Sequence, residues 1–239
     1  LTRTLKKPFS YLVPAQGFPA VVAITDINGK LVKQIAELPS SETAPSGNDN
    51  VQNVKRGFDW RDDEPATLVW CMPLDSGMIK KNVEFHDAVY AQSAPFTGEP
   101  KLLFKTKMRY RNSTWCNNQF ATVTEGLTGK QTIQVNSFNP STGELEKLFT
   151  RNTTDAYANT GFVVTAPNKY DKDVILTVDN GSRILFNNIV GSSPKGDLPF
   201  LISYDLKTKK ADTLWRCQEG YFESIVKVVD GEKLTLITR

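Results

Sequence analysis

The chain has 239 residues, of which 39% are hydrophobic and 23% charged, and its formal net charge is +3. These proportions are ordinary for a folded protein and argue against disorder. The densest basic clusters, residues 105–111 and 207–210, are too short to indicate a nucleic-acid-binding surface. No apolar run approaches the roughly 20 residues of a membrane span, and the opening LTRTLKKPF lacks the apolar core of a signal peptide. We therefore expect no nucleic acid partner and no membrane span.

The three cysteines, Cys71, Cys116 and Cys217, are odd in number and widely spaced. This pattern matches neither a disulfide framework nor the paired spacing of a zinc site. We interpret them as small buried residues, and a bridge between Cys71 and Cys116 stays open.

Strand signals begin close to the first residue. Residues 9–13 indicate a short strand that stops at a proline, and residues 21–25 and 31–35 predict a hairpin that turns at Asn28 and Gly29. Residues 40–57, SSETAPSGNDNVQNVKRG, are polar and rich in turn formers, which predicts a crossover on the surface.

A hairpin is also predicted at residues 86–104, HDAVYAQSAPFTGEPKLLF, where two apolar runs flank a turn containing two prolines and Gly98. An apolar residue closes its second strand six positions after the turn glycine. The same spacing occurs four times: from Gly29 to Ile35, from Gly98 to Phe104, from Gly143 to Phe149 and, with Lys209 in the glycine position, to Trp215. Four copies of one hairpin indicate a repeat protein.

A second repeat alternates with the first. Trp60 is followed by a charged turn and an apolar strand at residues 67–71, and Trp115 by the similar WCNNQFATV. The two tryptophans are 55 residues apart, and Gly98 and Gly143 are 45 apart, which is close to the period of a four-stranded propeller blade. We therefore expect an all-β fold, with residues 1–239 forming about four antiparallel four-stranded blades of one β-propeller domain.

The last third of the chain continues this pattern less regularly. Strands are predicted at residues 162–165, 174–178, 183–186, 200–204, 225–229 and 234–238, with an insertion at 191–199 and a turn of helix at 153–159. The chain starts with an outer hairpin that lacks inner partners and ends with an inner pair that lacks an outer hairpin. We therefore expect it to be excised from a larger propeller.

Three segments carry a family resemblance: PFSYLVP at 8–14, FDWRDDEPATLVW at 58–70 and DAVYAQSAPFTGEP at 87–100. They resemble the propeller domain of the prolyl oligopeptidase superfamily of serine peptidases, in its glutamyl-endopeptidase-like branch. The resemblance covers most of the chain and loosens after about residue 150. It implies a propeller that caps a C-terminal α/β-hydrolase domain, gates a peptide substrate, and needs no metal or organic cofactor. The Gly-x-Ser-x-Gly elbow of such a catalytic domain does not occur in these residues.

His86 is the only histidine, so a histidine-dependent nucleophilic mechanism would have to use it. It begins a predicted strand at a position where the family more often has a basic residue, and we interpret it as a structural or surface residue. A single histidine also argues against a transition-metal site.

Two other groups have side chains suited to binding. Asp62, Asp63 and Glu64 could serve a glycosidase or bind the amino group of a peptide, but we interpret them as a solvated turn. Trp60 and Trp115 could stack on sugars or peptide side chains, but their repeat-equivalent positions favour filling the space between blades.

Arg56 and Arg61 could meet an acidic substrate side chain, although we favour a surface or turn position for both. The sequence thus predicts no catalytic, cofactor-binding or metal-binding residue in this segment. Two functions stay open, the gating propeller of a serine peptidase and a free-standing binding propeller. The codons beyond Arg239 distinguish them, because only the first requires a following α/β-hydrolase domain.

Overall fold

The computed structural model describes residues 1–239 and is built almost wholly from antiparallel strands. The helical segments are two single turns of 3-10 helix, Ala15–Gly17 and Ser41–Thr43. No helix has the length and hydropathy to cross a membrane. The all-β prediction and the four-stranded antiparallel sheets are confirmed.

The strands form successive sheets along the chain. The first sheet comprises β1 (Thr2–Leu5), β2 (Ala20–Thr25) and β3 (Leu31–Leu38). The second comprises β4 (Arg56–Trp60), β5 (Thr67–Pro73), β6 (Asp87–Ser93) and β7 (Lys101–Thr106). The third comprises β8 (Arg109–Asn117), β9 (Phe120–Leu127), β10 (Thr132–Phe138) and β11 (Leu145–Asn152).

The remaining strands are shorter and less regular. They are β12 (Phe162–Val163), β13 (Thr165–Pro167), β14 (Asp173–Ile175), β15 (Thr177–Val178), β16 (Arg183–Asn188), β17 (Ser192–Ser193), β18 (Gly196–Asp197), β19 (Phe200–Asp205), β20 (Ala211–Arg216), β21 (Ile225–Asp230) and β22 (Thr235–Thr238). The fourth sheet has the order β12, β16, β19, β20, with β15 also paired to β16. The pairs β13 and β14, β17 and β18, and β21 and β22 each form a two-stranded sheet.

Two local predictions are wrong. Residues 9–13 form no strand, with bends at residues 11–13, and the first strand is β1, which pairs with β2. The prolines at both ends of the 8–14 segment remove backbone donors that a ladder would need, whereas the polar Thr2–Leu5 can add to the sheet edge through its backbone alone. Residues 153–159 form turns without a helix.

One irregularity recurs at the same register position in four sheets. A β-bulge interrupts the last strand of each, and the bulged residue is Ile35 in β3, Leu103 in β7, Leu148 in β11 and Leu214 in β20. Phe104, Phe149 and Trp215 directly follow their bulges, so these three occupy equivalent register positions, as the six-residue spacing predicted. Ile35 lies one position out of step because β3 has a second bulge, at Val32.

The turns of three hairpins share one hydrogen-bonding pattern. In each turn, the side-chain Oδ1 of an aspartate or asparagine accepts a hydrogen bond from the backbone N–H two residues later and from a second backbone N–H beyond it. Asp26 accepts from Asn28 and Lys30, Asn139 from Ser141 and Thr142, and Asp205 from Lys207 and Thr208. A residue with positive φ closes each turn: Gly29 (81°), Gly143 (81°) and Lys209 (58°). The predicted equivalence of Lys209 with the turn glycines therefore has a conformational basis. Gly98 is different, because Phe96 (63°) takes the left-handed conformation in that turn.

The chain divides into two compact units. The first contains residues 1–60, 66–110 and 127–129, and the second contains residues 61–65, 111–126 and 130–239. In the first unit, Val22 and Ile24 of β2 pack with Leu68 and Trp70 of β5 in an apolar core. In the second unit one core joins the third and fourth sheets, and another joins the fourth sheet to β21 and β22. Full burial of such a side chain contributes about 1.5–3 kcal/mol, which makes these cores the main stabilising term.

Candidate functional site

The first unit contains a buried ionic network centred on Arg109. The Arg109 side chain is 2% exposed, and its Nη2 lies 2.6 Å from Asp75 Oδ2 while its Nη1 lies 3.0 Å from Asp87 Oδ1. Both carboxylates are fully buried. Asp87 and Arg109 begin β6 and β8, and Asp75 lies in the turn after β5, so three chain segments meet at this point.

Two further groups form hydrogen bonds with Asp75. His86 Nδ1 lies 2.7 Å from Asp75 Oδ2, and the backbone N–H of Gly77 donates to Oδ1 at 2.9 Å. Burial would raise the pKa of Asp75, but the hydrogen bonds from Arg109 and His86 outweigh it, so this pKa lies below its ordinary value. His86 is therefore part of the buried network of this unit.

The second carboxylate oxygen of Asp87 also has two partners. Arg56, the first residue of β4, pairs with Asp87 Oδ2, and the backbone N–H of Tyr110 donates to the same oxygen at 2.8 Å. The Nε atom of Arg109 donates to the backbone oxygen of Asp49 at 2.7 Å. The expected surface or turn position is wrong for Arg56, whose side chain is 25% exposed and belongs to this network.

Arg61 also departs from the expectation, in the second unit. Its side chain is 6% exposed, and it binds Asp63 through two hydrogen bonds, Nε to Oδ1 at 3.0 Å and Nη2 to Oδ2 at 2.6 Å. Its Nη1 lies 3.2 Å from Glu64, and its guanidinium carbon lies 4.4 Å from the centre of the Trp115 ring. The two-point carboxylate pairing and the aromatic contact offset the cost of burying the charge.

The reading of the acidic turn as solvated is therefore wrong at Asp63, whose side chain is only 4% exposed. Trp60 packs between sheets as interpreted, whereas the ring contact of Trp115 is within its own sheet. Trp60 lies against Phe96 in the core of the first unit, and Trp115, 2% exposed, lies edge-on to Phe138 in the second. These contacts give the tryptophans and the acidic turn a role in packing.

The three cysteines are unpaired thiols. Cys71 and Cys217 are buried and Cys116 is partly exposed. Burial raises the pKa of Cys71 to about 12, which keeps this thiol protonated near neutral pH. No three His, Cys, Asp or Glu side chains are grouped as they would be around a metal ion.

Sequence reasoning missed the network of Asp75, Asp87 and Arg109. It placed Arg109 in the basic cluster at residues 105–111, which it considered only as a nucleic-acid-binding surface. Its carboxylate partners lie 34 and 22 residues earlier in the chain, and no local periodicity reports such a pairing. One available signal was Asp87 itself, a carboxylate placed at the head of an otherwise apolar strand.

Two relatives match nearly the whole chain. Probable chloroplastic glutamyl endopeptidases of Arabidopsis thaliana and of Oryza sativa subsp. japonica are each 31% identical to it, over 242 and 251 aligned residues that cover 98% of this chain. The chain is homologous to part of these glutamyl endopeptidases. It spans 25% and 27% of their lengths, about a quarter. The resemblance to the glutamyl-endopeptidase-like branch is thus confirmed, while no protein-family profile matches the chain.

Solved structures overlap with this chain only loosely. An oligogalacturonate lyase from Vibrio parahaemolyticus is 14% identical with a TM-score of 0.42, covering 90% of this chain and 47% of the lyase. TolB from Acinetobacter baumannii is 13% identical with a TM-score of 0.25, covering 87% of this chain and 56% of TolB. Overlaps at this level carry no argument about the function of this chain.

Proposed function

We propose that this chain is the propeller segment of a serine peptidase of the prolyl oligopeptidase type, and that it gates and selects peptide substrates for an α/β-hydrolase domain of the same parent chain. The observation that carries the proposal is the similarity to glutamyl endopeptidases along 98% of the chain. The parent chain would hydrolyse oligopeptides after glutamate. Such a reaction needs a serine, a histidine and a carboxylate held in hydrogen-bond reach, which the hydrolase domain would contribute.

The fold supports the propeller part of the proposal. Two complete four-stranded sheets, the bulge that recurs in the last strand of four sheets and the apolar cores between sheets within each unit are features expected of blades. A blade of four strands buries its faces against its neighbours. The recurrent bulge increases the local twist, and a repeated twist suits repeated radial packing.

The proposal is tested with the product of the complete parent gene. It should cleave a peptide of about ten residues that contains glutamate, and it should cleave the same peptide with glutamine in that position far more slowly. Gating predicts that kcat/KM falls steeply when the same cleavage sequence is placed in a loop of a folded protein too wide for a propeller opening. Equal cleavage of the short peptide and of the loop would contradict gating, and no cleavage of either would favour a binding propeller.

A further inference from the structure

A recess of about 350 Å³ lies in the second unit, between the face of the third sheet and the segment that leads into β12. Its walls come from β8 to β12, from β16 and from Thr160 and Gly161. Its volume lies within the range of small-ligand pockets. Gly161 allows the chain to approach β16 closely just before β12, since its φ is +83° and a Cβ atom there would lie 2.2 Å from the backbone oxygen of Asn187.

All the charged residues that line the recess are positive. Two arginines, Arg111 and Arg151, line it, and no aspartate or glutamate does. The structure gives Arg151 neither an ion pair nor a hydrogen bond from its side chain, although the other partly buried arginines described above are paired with carboxylates. A guanidinium presents several donors in a planar fork that matches a carboxylate.

Uncharged hydroxyl groups line the recess together with the arginines. Thr114, Thr122, Thr124 and Thr160 all line the recess, and none of their hydroxyl groups makes a hydrogen bond to the protein. Thr122 is only 5% exposed, so its hydroxyl group has little access to solvent other than through the recess. A ligand oxygen would satisfy these hydroxyl groups where the protein does not.

Aromatic side chains form the apolar part of the wall. The ring centres of Phe149 and Phe186 lie 5.8 Å apart in an edge-on contact. Phe162, on β12, is 79% exposed. The recess therefore combines two arginines, of which Arg151 is unpaired, with free hydroxyl groups and an aromatic surface. This combination suits an organic anion with an apolar body better than it suits an inorganic ion.

We propose that the recess binds a carboxylate of a peptide, with the carboxylate at Arg151 and the adjoining apolar side chain against Phe149 and Phe162. The peptide class of the ligand rests on the proposed function, whereas the carboxylate follows from the recess alone. An acidic side chain and a C-terminal carboxylate share this chemistry.

Three dipeptides distinguish these sources in a titration of the isotope-labelled 239-residue chain followed by NMR. They are acetyl-Phe-Glu-amide, acetyl-Phe-Gln with a free C-terminus, and acetyl-Phe-Gln-amide, which has no carboxylate. At least one charged dipeptide should bind about tenfold more tightly than the neutral one, and the charged dipeptide that does so identifies the source of the carboxylate. The shifted resonances should include the four threonines of the recess.

The Arg151→Gln variant should bind the charged dipeptides no better than the neutral one. Lys147→Gln removes the same charge from an exposed position on the same strand and should leave binding unchanged. If Arg151→Gln does not fold, the salt dependence of wild-type binding takes its place, since only the charged dipeptide should weaken between 0.05 and about 0.5 M NaCl. Equal binding of charged and neutral dipeptides, or undiminished binding by a folded Arg151→Gln, would overturn the proposal. Neither result would alter the expected activity of the parent peptidase.

Discussion

Replacing Arg109 by methionine tests the importance of the buried network. Methionine keeps an unbranched apolar stem but removes the guanidinium from between Asp75 and Asp87, both fully buried. Removing one partner of a buried ion pair typically costs 3–5 kcal/mol because the other charge is left uncompensated. Asp75 keeps its contact with His86 and Asp87 keeps Arg56, so we expect a loss of about 3–5 kcal/mol and not the sum for two orphaned carboxylates.

Urea denaturation followed by tryptophan fluorescence measures this loss, because Trp60 and Trp70 lie in the same unit. With a slope of about 2 kcal/mol per molar urea, the midpoint should fall by roughly 1.5–2.5 M. Lys107→Met is the matched control, since it removes an exposed cation two residues away and should change stability by less than about 0.5 kcal/mol. Adding Asp75→Asn to Arg109→Met should recover part of the loss. A change below about 1 kcal/mol for Arg109→Met would refute the reasoning.

Three further predictions concern pH, a glycine and a thiol. The hydrogen bonds that lower the pKa of Asp75 stabilise the folded chain while this carboxyl group is ionised. Their contribution is present above the ordinary pKa of 3.8 and is lost as the pH falls from there through the lowered pKa of the folded chain. Asp75→Asn should therefore flatten the fall in urea midpoint between pH 6 and pH 3. Gly161→Ala should cost more than about 2 kcal/mol, whereas Gly181→Ala, with φ +84° and open space around it, should cost about 1 kcal/mol; equal thermal shifts would contradict the close contact. Cys71, with its pKa raised to about 12, should react with a disulfide reagent at pH 8 only after unfolding, and rapid labelling of Cys71 in the folded chain would contradict its burial.

The sequence predicted local features of the fold more successfully than long-range ones. The hairpins at Gly29, Gly143 and Lys209 were predictable because each turn contains its own determinants, an Asx side chain that accepts backbone hydrogen bonds and a residue with positive φ. The second bulge of β3 was not predictable, since nothing in the sequence LVKQI distinguishes a bulged residue from a paired one.

The ionic residues show the corresponding limit. Arg61 finds Asp63 two residues away, yet its burial depends on Trp115, which is 54 positions later in the chain. Arg109 resembles its exposed neighbours in sequence and differs from them only because the fold brings Asp75 and Asp87 to it. The recess around Arg151 likewise requires β12 to lie against the third sheet, which no spacing in the chain indicates.

Labelling with a fluorophosphonate, a probe that reacts with an activated serine, tests the central claim most directly. The 239-residue chain contains one histidine and no Gly-x-Ser-x-Gly elbow that would present a nucleophilic serine, so the chain alone should stay unlabelled. Removing a catalytic serine or histidine typically costs on the order of 10⁶ in kcat, so partial reactivity is not expected. The complete gene product should label stoichiometrically at a serine outside the 239 residues. Labelling of the 239-residue chain itself, or failure of the complete product to label, would contradict the assignment of this chain as the propeller of a serine peptidase.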